Sequence, residues 1–144
     1  RLMGAYLATC TTREKAADGN LPVVHCPYDP ETRGGSSADG RKVKGTIHWV
    51  AAKTAVKAEC RLYENIVDEE KGKLNEDGSL NLNPNSLTVL TECYMEPELG
   101  KAQAYDSFQF VRNGYFCADC KDSRPDHLVF NRIVSLKSSF KIQK

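Results

Sequence analysis

Phe108-Gln109-Phe110-Val111-Arg112-Asn113-Gly114-Tyr115-Phe116-Cys117 carries the clearest structural signal in the chain. Two aromatic-rich runs flank Asn-Gly, and both central residues of a type I′ turn need φ > 0, which Asn and Gly tolerate best. The dipeptide predicts a hairpin centred on Asn113-Gly114. Arg112 then stands opposite Tyr115, Val111 opposite Phe116, Phe110 opposite Cys117 and Gln109 opposite Ala118. Alternation sends Phe108, Phe110 and Arg112 to one face, and Gln109 and Val111 to the other. With both phenylalanines in the core, Gln109 projects from the opposite side. By pattern alone a strand glutamine is more often solvated than engaged with a ligand.

The chain has 144 residues, enough for one medium domain or two small ones with a real core. Its formal net charge of +1 gives no global field of the kind that marks a general nucleic-acid binder. The charge is uneven, with nine Lys/Arg against six Asp/Glu in residues 1–60, and eleven against thirteen in residues 61–144. An anionic partner should favour the first part. The six cysteines do not read as a secreted disulfide framework: Cys10, Cys26, Cys60 and Cys93 fall in or beside apparent strands, as small buried hydrophobes do. With no signal-like segment and no apolar run near 18 residues, the expectation is a reduced, cytoplasmic protein. Opening on Arg1 inside an apparent strand suggests a piece cut from a longer polypeptide.

Outward from the hairpin, the chain reads as seven or eight short strands with little helix. Residues 2–10 and Val23 to Tyr28 predict an antiparallel pair, joined through the turn chemistry of Asp18-Gly19-Asn20. Residues 29–42 are too polar and too rich in Gly and Ser for regular structure. Val43 to Val50 alternates like a strand, Ala51 to Ala58 suits a short helical turn, and Glu59 to Val67 is read as a strand. Asp68 to Asn85 predicts an exposed, mobile connector. Leu87 to Met95 is a strand, Asp119 to His127 a loop, and Leu128 to Leu136 a last strand before the basic tail Lys137 to Lys144. The pattern predicts an all-β fold of one barrel or a pair of small ones. Composition and charge change near residues 51–58, which places a boundary there.

Enzymatic motifs are thin. Gly35-x4-Gly40-Arg41-Lys42 has the outline of a phosphate loop, but that motif needs Lys directly after the second Gly and then Ser/Thr, followed by a helix. Cys117-Ala118-Asp119-Cys120 has metal-ligand spacing with His127 downstream, yet a structural zinc site wants a second pair. A thioredoxin-type role needs the motif at a helix N-terminus. His25, His48 and His127 lie on separate elements with no nucleophile at recognisable spacing. No catalytic residue and no metal ligand is expected within these residues. What remains is cationic and aromatic: Arg1, Arg33, Arg41, Lys42, Lys44, Arg112 and Arg132, with Tyr28, Trp49, Phe108 and Tyr115. Small barrels use such residues to contact phosphates and the edges of splayed bases. An interaction module for other proteins fits the composition equally well.

Longer runs favour the first of these. Cys26-Pro-Tyr-Asp-Pro-Glu-Thr-Arg33, Arg41-Lys-Val-Lys-Gly-Thr-Ile-His-Trp-Val50, Arg61-Leu-Tyr63, Asn83-Pro-Asn-Ser-Leu87, Glu96-Pro97, Phe108 to Phe116 and Phe130-Asn-Arg-Ile-Val-Ser-Leu-Lys137 occur in that order. Together they resemble the C-terminal region of the glutaminyl-tRNA synthetase family, from Arg1 to about Phe140. The likeness is weakest at residues 67–82 and 119–127. The resemblance implies two antiparallel β-barrels that bind the anticodon loop of tRNA. The first would end in residues 1–52, and the second, with the C-terminal tail, would fill residues 53–144. It also implies an upstream catalytic domain that uses ATP with magnesium, a monomer, no membrane association and no cofactor held by these residues. Carried over residue by residue, Gln109 matches the glutamine that hydrogen-bonds the middle anticodon base, uracil, whose pairing edge needs both a donor and an acceptor. Arg1 matches an arginine at the first anticodon base or its phosphate, with Met3 standing where a second basic residue occurs in one common form. Arg112 is a candidate for a phosphate or structural ion pair, and Arg41, Lys42 and Lys44 for general electrostatic support. The alternatives are the corresponding region of an archaeal or eukaryotic glutamyl-tRNA synthetase and a free-standing interaction barrel.

Overall fold

The longest strands form where β-branched, aromatic and small apolar residues concentrate, and they share a sheet with the hairpin that carries Gln109. The computed structural model describes residues 1–14, 23–68 and 71–136. The chain divides into two compact units, Arg1–Trp49 and Val50–Lys144. The structure is all-β, with two short 3-10 helices, Pro30–Thr32 and Pro97–Lys101, among the described residues.

In the first unit, β1 (Leu7–Ala8) pairs antiparallel with β4 (Tyr28–Asp29), and β2 (Thr12–Arg13) with β3 (Val24–His25). This is the antiparallel pair expected from sequence, cut into short pieces. Pro27 has no N–H to donate, so between the pieces it only accepts, from Thr9 N at 3.1 Å. The Asp18-Gly19-Asn20 turn lies outside the described residues. Thr32 anchors the return of the chain. Only 1% exposed, its Oγ1 accepts the Leu7 amide at 2.9 Å and donates to the Asp29 carbonyl at 2.7 Å. Val43 to Val50 does not form the expected strand. Among the described residues its one bridge is Ile47 with Leu2, so propensity without a continuous neighbour leaves it irregular.

The second unit is one five-stranded sheet in the order β6-β5-β9-β8-β7. Its strands are β5 (Val56–Tyr63), β6 (Leu87–Met95), β7 (Ser107–Phe110), β8 (Gly114–Ala118) and β9 (Leu128–Val134). The strands pair antiparallel except β5 and β9, which run parallel, with Cys60 beside Phe130. The Ala-rich stretch makes a single turn, closed by Ala55 N to Ala51 O at 2.8 Å, and β5 then starts at Val56. The described residues of the expected connector, Asp68 to Asn85, are mostly exposed, but they and the residues before them are tied together. Bridges join Val67 to Leu82 and Leu74 to Leu80, and Asn83 N donates to Ile66 O at 2.7 Å.

The core of this unit forms around Phe130, which is fully buried. Phe110 stacks on Phe116 with centroids 4.4 Å apart, and both Phe108 and Phe110 meet Phe130 edge-on, at 6.0 and 5.4 Å. Such pairs add about 0.5–1.5 kcal/mol each beyond the area they bury. Ala58, Cys60, Met95, Ala118 and Leu128 complete the cluster. All six cysteines are free, but Cys10 and Cys26 are exposed, against the expectation of burial. The tail Lys137 to Lys144 lies outside the described residues.

Candidate functional site

The hairpin forms, but three residues out of the expected register. Ser107 faces Cys117, Phe108 faces Phe116, Gln109 faces Tyr115 and Phe110 faces Gly114. The loop is Val111-Arg112-Asn113, closed by Asn113 N to Phe110 O at 2.8 Å. Arg112, not Asn or Gly, takes the left-handed conformation (φ 68°), at the place where a type II turn requires it. Gly114 enters the strand instead of the turn. A Cβ there would lie 2.6 Å from the Val134 carbonyl oxygen, so only glycine lets β8 approach β9 so closely. Because three is odd, the shift turns every side chain of β8 over. In the expected register Phe116 would share the outer face with Gln109. In the structure it packs inward on Phe110, and Tyr115 takes the outer position. Burial of Phe116 and its stack outweigh the preference of Asn-Gly for the turn centre, which amounts to about 1 kcal/mol.

Gln109 stands where alternation placed it, exposed and away from Phe108 and Phe110. Tyr115 lies directly opposite on the same face, and Val134 of β9 is the next residue across. Tyr115 is 44% and Val134 51% exposed. Tyr105 (φ 73°) and Arg112 are the non-glycine residues with left-handed backbone among the described residues, and they bracket β7. Such conformations cost on the order of 1–3 kcal/mol each and collect at functional positions.

The six candidate residues divide between the units. Gln109 and exposed Arg112 belong to the hairpin. In the first unit, the Arg1 side chain lies along Gly35, so near that an added Cβ would be 3.1 Å from its Cδ. Arg41 is not a free cation, since it binds Asp29 and lies 3.1 Å from Asp39. The Asp29 hydrogen bond, more than any other contact, raises its pKa above the ordinary value. Lys42 and Lys44 are exposed. No helix follows Gly40 and Arg41 is already paired, so this segment does not fit a nucleotide phosphate.

Other cations serve the fold. Arg61 of β5 holds Glu59 at 2.7 Å and Asp122 at 2.6 Å, tying the 119–127 loop to the sheet. Arg132 binds Glu64. In the same loop Asp119 accepts from the Asp122 amide (2.7 Å), Lys121 amide (2.8 Å) and Asn131 Nδ2 (2.6 Å). The Asp122 amide first, then Asn131, hold its carboxyl below the usual range. His127 lies 3.7 Å from Glu59, and among the described residues no three His, Cys, Asp or Glu side chains are grouped to hold a metal ion. The residue that the expected register misplaced is Tyr115. Its signal was present in the aromatic inventory, but its face depended on the register.

A β-sheet surface that displays an amide and an aromatic ring side by side carries the chemistry by which such frames recognise unstacked bases. Comparison with known proteins makes this specific. The family model for the anticodon-binding domain of class I tRNA synthetases (E and Q) matches residues 46–119, and the chain belongs to that family. It is 49% identical over 143 residues to a glutamine–tRNA ligase of Pseudomonas syringae pv. tomato, and 49% identical over 144 residues to one of Clostridium kluyveri. A glutamine–tRNA ligase of Vibrio parahaemolyticus is 48% identical over 140 residues. These matches cover 97–99% of this chain but 25–26% of each relative, so the chain spans about a quarter of their length. The resemblance drawn from sequence is therefore correct. No helix among the described residues is long and apolar enough to cross a membrane.

Proposed function

We infer that this chain binds the anticodon loop of a glutamine tRNA, as part of a glutamine–tRNA ligase acting in the cytoplasm as a monomer. The observation that carries it is identity near one half along almost the whole chain to proteins of that name. The display of Gln109 beside left-handed Arg112 supports it. Gln109 reads the middle base, uracil, its amide supplying both a donor and an acceptor. Arg1 contacts the first base or its phosphate, and Arg112 a phosphate. Lys42 and Lys44 add electrostatic support, and Arg41, already paired with Asp29 and Asp39, adds less. ATP, magnesium and the transfer of glutamine belong to the upstream catalytic domain of the same polypeptide. The expected two-barrel division, 1–52 and 53–144, is part of the same proposal.

The test is a binding titration in low salt with a glutamine-tRNA anticodon stem-loop. Gln109→Ala should weaken binding by about 1–3 kcal/mol and lose preference for uracil over other middle bases. Unchanged affinity and preference would show that Gln109 does not read the base.

A further inference from the structure

The register of the hairpin puts more than an amide on the outer face. Gln109 and Tyr115 stand directly opposite each other on β7 and β8, and Val134 is the β9 residue paired with Tyr115, at a break in the β8–β9 register; all three are exposed. Directly opposite residues share a face, with Cβ atoms about 4.5–5.5 Å apart, and neighbouring strands are about 4.8 Å apart. A pyrimidine laid flat on the Tyr115 ring therefore brings its pairing edge over β7, within reach of the Gln109 amide. On the far side Val134 offers an apolar shoulder and no competing hydrogen-bond group. No buried function is given to Tyr115: the core of the hairpin is made by Phe108, Phe110 and Phe116 on the other face.

We propose that Tyr115 is the stacking surface for the base whose edge Gln109 reads, so that the two residues act as one subsite for an unstacked uracil. This rests on the anticodon-binding role inferred above and adds a residue to it. Stacking holds the base in place without regard to its identity, and the amide then selects among the bases so held. The phenol hydroxyl is not needed for this, so the ring alone should suffice.

The experiment uses the full 144-residue chain and two fluorescent anticodon stem-loops, one with uracil at the middle position and one abasic there. Tyr115→Ala should weaken binding of the uracil probe about ten- to a hundredfold. It should leave the abasic probe within about threefold, and Tyr115→Phe should bind both probes within about threefold of the parent chain. Equal losses on both probes, or no loss on the uracil probe, overturn the stacking role. If Gln109→Ala abolishes uracil preference while Tyr115→Ala does not matter, only the stacking fails and the anticodon-binding role stands. A parent chain that binds the two probes equally, or neither, overturns the base-reading role and the stacking with it. Should Tyr115→Ala unfold, the parent chain decides alone. With 5-iodouridine at the middle position, a photo-cross-link mapped to Tyr115 supports the proposal, and an adduct elsewhere or none overturns it.

Discussion

At the scale of single residues, Gly114 and Arg112 divide the work that the sequence assigns to Asn-Gly. Arg112 carries the positive φ of the turn, while Gly114 gives up its side chain so that β8 can lie against the Val134 carbonyl. Gly114→Ala should therefore cost roughly 2–4 kcal/mol, from a backbone clash added to a strained φ of 145°. Urea unfolding of the variant measures it. Were Asn113-Gly114 the centre of a type I′ turn, the same change would cost only about 1 kcal/mol. The face of Gln109 was legible because it depends only on alternation within its own strand. The face of Tyr115 was not, because it depends on which residue of β7 it pairs with.

At the scale of elements, the strands paired along most of their length were the most legible. Leu87 to Met95 and the start of the last strand at Leu128 fall where the pattern put them. Val43 to Val50 alternates as well as either, but among the described residues is bridged only at Ile47. Strand pattern expresses fitness for a pleated, half-buried surface, and it becomes a strand where a neighbour runs alongside it. In the first unit, order comes from one buried hydroxyl as much as from the ladders. Thr32→Val should strand the Leu7 amide and cost about 1–3 kcal/mol, seen as faster hydrogen exchange at that amide. Thr32→Ser should retain the bond and cost less.

For the molecule as a whole, acid stability and base recognition both follow from where its polar groups end up. Asp119 gathers two amides and Asn131, and its folded pKa lies below the unfolded value of about 3.9. A lowered carboxyl contributes stability that is fully present above the unfolded value and is lost as pH falls through the folded one. Asp119→Asn should thus be about 1–2 kcal/mol less stable than the parent at pH 6, and the gap should narrow by pH 3, measured by urea unfolding at both. The sequence by itself determined the all-β class and the outward face of Gln109, which rest on residue types and local periodicity, and the family, which rests on the ordered runs that resemble it. Only the tertiary structure decided the parallel β5–β9 pair, the arginines committed to carboxylates, and the row that joins Tyr115 to Gln109. The last of these depends on the packing of Phe116 against Phe110 and of Gly114 against Val134. A register that slips by an odd number of residues exchanges core for surface, and no local pattern can weigh those contacts.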